Sequence, residues 1–184
     1  MHHPNQRAQF ERTVLPHLDA AYNLARWLLR NDADADDVTQ EACVRAYRFF
    51  DGFHGGNAKT WLLTIVRHAC YTWLKQHRAE KLTMAFDEQQ HSSNNDDPAA
   101  GTTPFSASPE ALFLQDADRR LLHQCLEELP LEFREALVLR ELEGLSYKEI
   151  SAVMDVPIGT VMSRLARSRG LLQQQLSGYR EQET

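Results

Sequence analysis

Four polar side chains near the end of the chain, Thr160, Ser163, Arg164 and Arg167, recur at i, i+3, i+4 and i+7. On a helix that spacing gathers them on one face, with Met162, Ala166 and Arg169 alongside. Hydroxyls and guanidinium groups presented in such a row can bond phosphate oxygens or base edges in a DNA groove. A second cluster lies nearer the middle, where Lys59, Arg67, Lys75, Arg78 and Lys81 are interleaved with Trp61, Tyr71 and Trp73. Cations among aromatic rings suit unstacked bases, the rings stacking and the cations holding the backbone. A third cluster is acidic: Asp36, Asp37, Gln40 and Glu41, with Val44 and Arg48 on the same helix face. Such a run is either a solvated surface or a docking face for a protein partner, and its chemistry alone leaves both open. Nothing resembles a catalytic or metal constellation. The eight His do not fall with Cys or carboxylates at zinc spacings, and Cys43, Cys70 and Cys125 are scattered, with no C-x-x-C pair. The expectation is therefore no metal, no cofactor, no enzymatic activity and three buried thiols.

The elements that must position these groups are helical throughout. Glu11 to Leu29 carries Val14, Leu18, Ala21, Tyr22, Ala25, Leu28 and Leu29 as one amphipathic stripe. Asn31-Asp32 ends it, and Asp34 or Asp36 can cap a second helix running to about Phe50. Ala35, Val38, Ala42, Ala46 and Phe49 form the core side of that helix, opposite the acidic face. The glycine-rich stretch from Asp51 to Asn57, with His54, predicts a loop. A third helix spans Ala58 to Lys81. On it Trp61, Ile65 and Ala69 share a stripe, which assigns Trp61 to the core, while Arg67 and His68 beside the stripe are exposed. Tyr71 and Trp73 stay open between core and stacking roles.

Further on, Arg119 to Leu129 is a helix ended by Pro130, and Leu131 to Leu142 is another stopped by Gly144. Ser146-Tyr147-Lys148-Glu149 is a capping box that opens a short helix to about Met154. Asp155-Val156-Pro157 makes a turn, and the last helix runs from Ile158 to about Leu176. Ile150, Val153, Val156, Val161 and Leu165 pack this pair across a connection too short to allow more than one angle. The result is a helix-turn-helix, which projects the N-terminal half of its second helix into a major groove. A helical hairpin with merely solvated cations is the bland alternative; capping box, turn and basic face together favour DNA.

Composition sets the frame. At 42% apolar residues the chain can build globular cores, and no apolar run approaches the roughly 20 residues that span a bilayer. Met1 to Arg7 lacks the apolar stretch of a secretory signal, so a cytoplasmic location without membrane insertion is expected. The net charge of −6 counts against a nucleic-acid partner until its distribution is considered. Between Leu82 and Asp118 there is no Lys or Arg, while Asp87, Glu88, Asp96, Asp97, Glu110, Asp116 and Asp118 are acidic. That Ser-, Asn- and Pro-rich stretch cannot offset its ordering entropy by burial, which predicts a flexible tether. The fold class expected is all-α: a helical domain over 1–81, an acidic linker over 82–118, and a helix-turn-helix domain over 119–184. A linker of about 35 residues reaches up to roughly 115 Å.

Several of these motifs, in this order, resemble the extracytoplasmic-function (ECF) sigma factors. Asp34-Ala35-Asp36-Asp37-Val38-Thr39-Gln40-Glu41 is similar to the family's second conserved region, and Trp61-Leu62-Leu63-Thr64-Ile65-Val66-Arg67 to its promoter-melting helix. Leu129-Pro130 through Arg169 resembles the C-terminal region, most closely at Leu145-Ser146-Tyr147-Lys148-Glu149-Ile150 and Ile158-Gly159-Thr160-Val161-Met162-Ser163-Arg164-Leu165. The resemblance implies an alternative sigma factor that joins core RNA polymerase and directs it to particular promoters. Asp36, Asp37, Gln40, Glu41 and Arg48 would dock on the polymerase. His54, Asn57, Lys59, Arg67, His68 and Tyr71 would hold the melted −10 element, one base being extruded into a pocket at the 51–57 loop. Thr160, Met162, Ser163, Arg164, Ala166 and Arg167 would read the duplex −35 element. An anti-sigma factor, often membrane-bound, is the partner such a protein commonly has. Three positions depart from the family pattern: His68 stands where Asn is usual, Thr72 where Asp is frequent, and Met162 where Arg or Lys is frequent. The rival expectation is a stand-alone helix-turn-helix regulator acting as a dimer, for which no dimerisation run is visible.

Overall fold

The structure, a computed structural model, describes residues 4–84 and 109–182, with side chains placed over 6–79 and 116–179. Helices α1 (Pro4–Thr13) and α2 (Leu18–Leu29) are separated by a 3-10 turn at Leu15–His17, where hydrophobic spacing alone runs one helix from Glu11 to Leu29. Pro16 is the cause: it lacks an amide proton and its ring clashes with the preceding turn, so the chain tightens and restarts. Val14 remains fully buried, whereas Tyr22 faces solvent.

Helix α3 (Asp32–Phe49) is capped by Asn31, whose side chain accepts the Asp34 amide at 2.9 Å, and not by Asp34 or Asp36. Ala35, Val38, Ala42 and Ala46 line the core as expected. Phe49 does not; it is 65% exposed, and Phe50 takes the core position instead. A 3-10 turn at Phe50–Gly52 follows the helix and swings the second ring inward, edge-on to Phe10 at 5.3 Å. Helix α4 (Ala58–Met84) buries Leu62, Leu63, Val66, Ala69 and Cys70. The buried stripe is therefore rotated from the expected Trp61–Ile65–Ala69 line, and Trp61 is half-buried at its edge, its ring 5.0 Å from Phe53.

After residue 108 the chain continues with α5 (Pro109–Glu128), α6 (Leu131–Leu137), a π turn at Val138–Leu142, α7 (Tyr147–Met154) and α8 (Ile158–Gln182). Helix α5 begins ten residues before the expected Arg119, with Pro109 in the first helical position, where its fixed φ and missing amide cost nothing. Helix α8 likewise outruns its expected end at Leu176. The expected tether is thus helical at both ends, and its central part, 85–108, lies outside the described residues. The π turn is closed by the Glu143 amide on the Val138 carbonyl at 3.0 Å, and Gly144 exits it at φ +69°, a left-handed conformation natural to glycine. Among the described residues there is no strand, and no helix is long and apolar enough to cross a membrane.

The two helical halves pack on each other. Leu24, Leu28, Leu62, Leu63 and Val66 from the first, and Leu139, Ile150, Met154 and Leu165 from the second, belong to one connected set of buried side chains. Contacts run between α2 and α6 and between α4 and α7. At one margin the Trp27 ring lies 4.5 Å from His123. Arg134, nearly buried on α6, closes the end of α5 by donating to the carbonyls of Glu127 (2.7 Å) and Leu129 (2.9 Å). Burial, with Arg30 nearby, lowers its guanidinium to about 10.

Candidate nucleic-acid interface

The helix-turn-helix is built from local chemistry outward. Ser146 accepts the Glu149 amide at 3.2 Å while the Glu149 carboxylate accepts the Ser146 amide at 2.8 Å, a reciprocal box that fixes the start of α7. Those bonds, the backbone amide first and the Ser146 hydroxyl second, hold the Glu149 carboxyl below its ordinary range. At the other end Asp155 adopts φ +53°, a left-handed conformation that aspartate tolerates better than most residues. The Ser151 hydroxyl donates to the Val156 carbonyl at 2.5 Å, and the Pro157 carbonyl accepts the Thr160 and Val161 amides, so the turn leads straight into α8. Ile150, Val153, Val161 and Leu165 are fully buried in the angle between the helices. Burying each such side chain contributes about 1.5–3 kcal/mol, which holds the angle.

That angle leaves the expected reading face on the outside. Met162 is 53% exposed, Ser163, Ala166 and Arg167 are exposed, and Thr160 and Arg164 are half-buried. No acidic side chain among the described residues pairs with Arg164 or Arg167. Arg169, one step round, is taken by Glu141 at 2.7 Å. Ser168 turns inward and shares its proton between the carbonyls of Arg164 (2.6 Å) and Phe133 (2.9 Å), tying α8 to α6.

The second expected face is differently placed. Gly55 and Gly56 turn the 51–57 loop with φ of +93° and +101°, leaving His54 and Asn57 exposed. A cleft beside the loop is lined by Phe53, His54, Thr60 and Trp61, and its opposite wall comes from Lys148 and Ala152 of α7. Asn57 donates to Glu149 at 2.5 Å. The Lys59 ammonium reaches the Glu143 carboxylate at 3.1 Å and the Glu143 carbonyl at 2.8 Å. Arg67 pairs with Glu135, and the Tyr71 hydroxyl donates to the same carboxylate at 2.8 Å. Arg67 is thus half-buried, its side chain 14% exposed, where the spacing had placed it in solvent. Its guanidinium stacks 4.3 Å over the Tyr71 ring. Burial, then the Glu135 charge, pushes the Tyr71 phenol and the neighbouring Cys70 thiol upward, the thiol to about 12. His68 alone of the α4 residues in this group is exposed.

The acidic face of α3 is open. Asp36, Asp37, Gln40, Glu41 and Arg48 are all exposed, ordered by bonds from Gln40 to Asp36 (3.0 Å) and from Arg45 to Glu41 (2.8 Å). Val44 and Phe49 stand out beside them, 54% and 65% exposed. Exposed apolar side chains inside a charged rim suit a protein partner. Spacing identified Val44 but assigned Phe49 to the core.

Two family models match the chain, sigma-70 region 2 over residues 13–80 and sigma-70 region 4 over residues 119–172. The ECF RNA polymerase sigma-E factor of Escherichia coli (strain K12) is 37% identical over 137 residues, covering 74% of this chain and 70% of that protein. The chain belongs to the ECF sigma factors. The ECF RNA polymerase sigma factor SigE of Mycolicibacterium smegmatis is 33% identical over 170 residues, covering 92% of this chain and 61% of that protein. Among solved structures, the sigma factor RpoE in complex with the anti-sigma factor NepR from Bartonella quintana superposes with a TM-score of 0.71 at 26% identity. The match covers 92% of this chain and 97% of that one. CnrH in complex with the cytosolic domain of CnrY shares the fold, with a TM-score of 0.62 at 24% identity. This protein is therefore an alternative sigma factor, binding RNA polymerase and promoter DNA and directing transcription initiation as its family does. A stand-alone helix-turn-helix regulator is not favoured, because the first half of the chain matches sigma-70 region 2.

Proposed function

We propose that the three faces divide the work of initiation between them. Asp36, Asp37, Gln40, Glu41 and Arg48, with Val44 and Phe49, dock on core RNA polymerase. His54, Asn57, Lys59, Arg67, His68 and Tyr71 hold the melted −10 strand, with the cleft beside the 51–57 loop receiving one unstacked base. Thr160, Met162, Ser163, Arg164, Ala166 and Arg167 read the duplex −35 element. Residues 1–81 and 119–184 act as separate functional modules joined through 82–118, and the protein works in the cytoplasm without chemistry of its own. The observation that carries this reading is the outward row from Thr160 to Arg167, held at a fixed angle and with Arg164 and Arg167 unpaired among the described residues. Met162 at 53% exposure offers an apolar contact, such as to a thymine methyl, where an Arg or Lys would offer a charge. The complex of RpoE with NepR supports an anti-sigma factor as the regulatory partner here too.

The test is run-off transcription of genomic templates with purified chain and bacterial core polymerase, alongside gel filtration of the mixture. Start-site-specific transcripts and co-elution are expected. Asp37→Lys with Glu41→Lys should abolish both, while leaving the isolated chain's affinity for duplex DNA unchanged. Co-elution at unchanged affinity would refute the docking face.

A further inference from the structure

Helix α1 reaches the cleft beside the 51–57 loop through a chain of rings. Gln6 and Phe10 stand one turn apart on one face of that helix. The Gln6 amide donates to the Asp51 carboxylate at 2.6 Å, at the first residue of the loop. The Phe10 ring is 5% exposed and lies edge-on to two others, 5.1 Å from Tyr47 of α3 and 5.3 Å from Phe50. From Phe50 the rings continue outward. Phe53 stacks on Phe50 at 5.9 Å, Trp61 stands edge-on to Phe50 at 6.3 Å, and Phe53 and Trp61 meet at 5.0 Å. Those last two rings are walls of the cleft.

Among the described residues the loop is otherwise held at its ends. Asn57 fixes the far end, its side chain accepting the Thr60 amide at 3.2 Å and its carbonyl the Trp61 amide at 3.0 Å. At the near end the Phe53 amide donates to the Phe50 carbonyl at 2.9 Å. Between them, a Cβ placed at Gly52, Gly55 or Gly56 would meet no atom of the described residues within 4 Å, chain neighbours apart. A backbone so open keeps its position only where neighbouring side chains hold it. Edge-on ring pairs attract directionally beyond their burial, so they fix an angle as well as a distance. The sigma-70 region 2 match begins at residue 13, so Gln6 and Phe10 both precede it.

We infer that Phe10 is a positioning residue for base selection: through Phe50 it sets where Phe53 and Trp61 stand, and so the shape of the cleft that receives the unstacked base. Gln6 ties Asp51 to the same helix. This rests on the assignment of the cleft to that base. A pocket discriminates between bases only as far as its walls are fixed, since a wall free to shift admits the wrong ring as well as the right one. Phe10 touches no DNA in this role. Its loss lowers selectivity at one promoter position and leaves docking through α3 and duplex recognition by α8 as they were.

The experiment uses the full-length chain with core polymerase and a promoter mapped by the run-off experiment. Every position of its −10 segment is replaced in turn by each of the other bases, and transcript yield gives the preference at each position. Thr60 lines the cleft, and Thr60→Tyr fills it from that wall. The position whose preference disappears in this variant is the one read in the cleft. Phe10→Leu keeps an apolar side chain in the core and removes the ring edges. It should lower the preference at that position roughly fivefold and leave the other positions, polymerase co-elution and duplex −35 affinity unchanged. A preference kept at the parent's value at the position that Thr60→Tyr identifies overturns the inference. An equal loss at every position overturns it too, because Phe10 would then be core packing alone. If Thr60→Tyr abolishes no preference, the cleft assignment fails and the inference falls with it. Should circular dichroism show that Phe10→Leu does not fold, Gln6→Ala with Asp51→Ala, which opens only an exposed bond, carries the same readouts with a smaller expected loss.

Discussion

The two surfaces proposed to meet DNA have similar chemistry and opposite surroundings. On α8, Arg164 and Arg167 project from a helix whose inner side is fully packed, and among the described residues no carboxylate meets them. On α4, Lys59 and Arg67 are spent within the molecule, on Glu143 and Glu135. The difference shows that a basic residue's availability depends on what the rest of the chain brings against it, and not on its helix position. It also separates two sources of rigidity. The α8 face is held from behind by Ile150, Val153, Val161 and Leu165, whereas the α4 face is held from in front by charge-assisted bonds.

The largest expected effect tests that difference on stability. Glu135→Ala strands the Arg67 guanidinium and Tyr71 hydroxyl against a buried gap, and breaking a buried pair this way costs about 3 kcal/mol. Arg167→Ala removes an exposed side chain that has no partner among the described residues and should stay within about 0.5 kcal/mol of the parent. Urea unfolding of both variants checks this. Equal losses would break the comparison, since the α4 contacts would then contribute no more than solvated surface.

A smaller effect tests it on binding. In the free chain, Arg167→Ala should weaken duplex −35 binding roughly tenfold and flatten the dependence of log affinity on log salt by about one phosphate contact. Lys59→Ala, which removes a cation already held by Glu143, should leave the same duplex titration where it was. A salt slope altered as much by Lys59→Ala as by Arg167→Ala would mean that both faces already meet DNA in the free protein.

Much of this arrangement was legible in residue spacing, and the failures on α4 share one cause. The helix-turn-helix could be read because its signals are local: a capping box four residues long, an Asp-Val-Pro turn, and apolar residues repeating within two helices. The open face of α3 was legible for the same reason. Pro16 is a local signal too, and it breaks the helix that apolar spacing alone carries from Glu11 to Leu29. Arg67, Tyr71 and Trp61 were misplaced or left open because their environment comes from 64 to 68 residues away in two cases, through Glu135, and from a loop ring, Phe53, in the third. Amphipathic spacing reports which side of a helix is apolar; it carries nothing about a carboxylate delivered from another half of the chain. Glu135, Glu143 and Glu149 themselves look like ordinary helix-surface acids, and only Glu149 had a role that its neighbours could reveal.

The smallest expected effect concerns that residue, which belongs to both regions at once: it caps α7 and it holds Asn57. Its carboxyl is lowered from the ordinary value of 4.5, chiefly by the Ser146 amide, then by the Ser146 hydroxyl, with Asn57 and Lys59 adding to the same direction. A depressed carboxyl binds its proton less readily in the folded chain than in the unfolded one. Its contribution to stability is therefore complete above pH 4.5 and is lost as pH falls through the lowered folded value. The site is largely open to solvent, so screening keeps the loss below about 1 kcal/mol. Glu149→Gln retains a neutral capping box at every pH, and the urea midpoints of parent and variant should approach each other as the solution is acidified across that window. A gap that stays constant with pH would mean that the carboxylate charge adds nothing to the box. The α4 face would then be held by Glu135 and Glu143 alone.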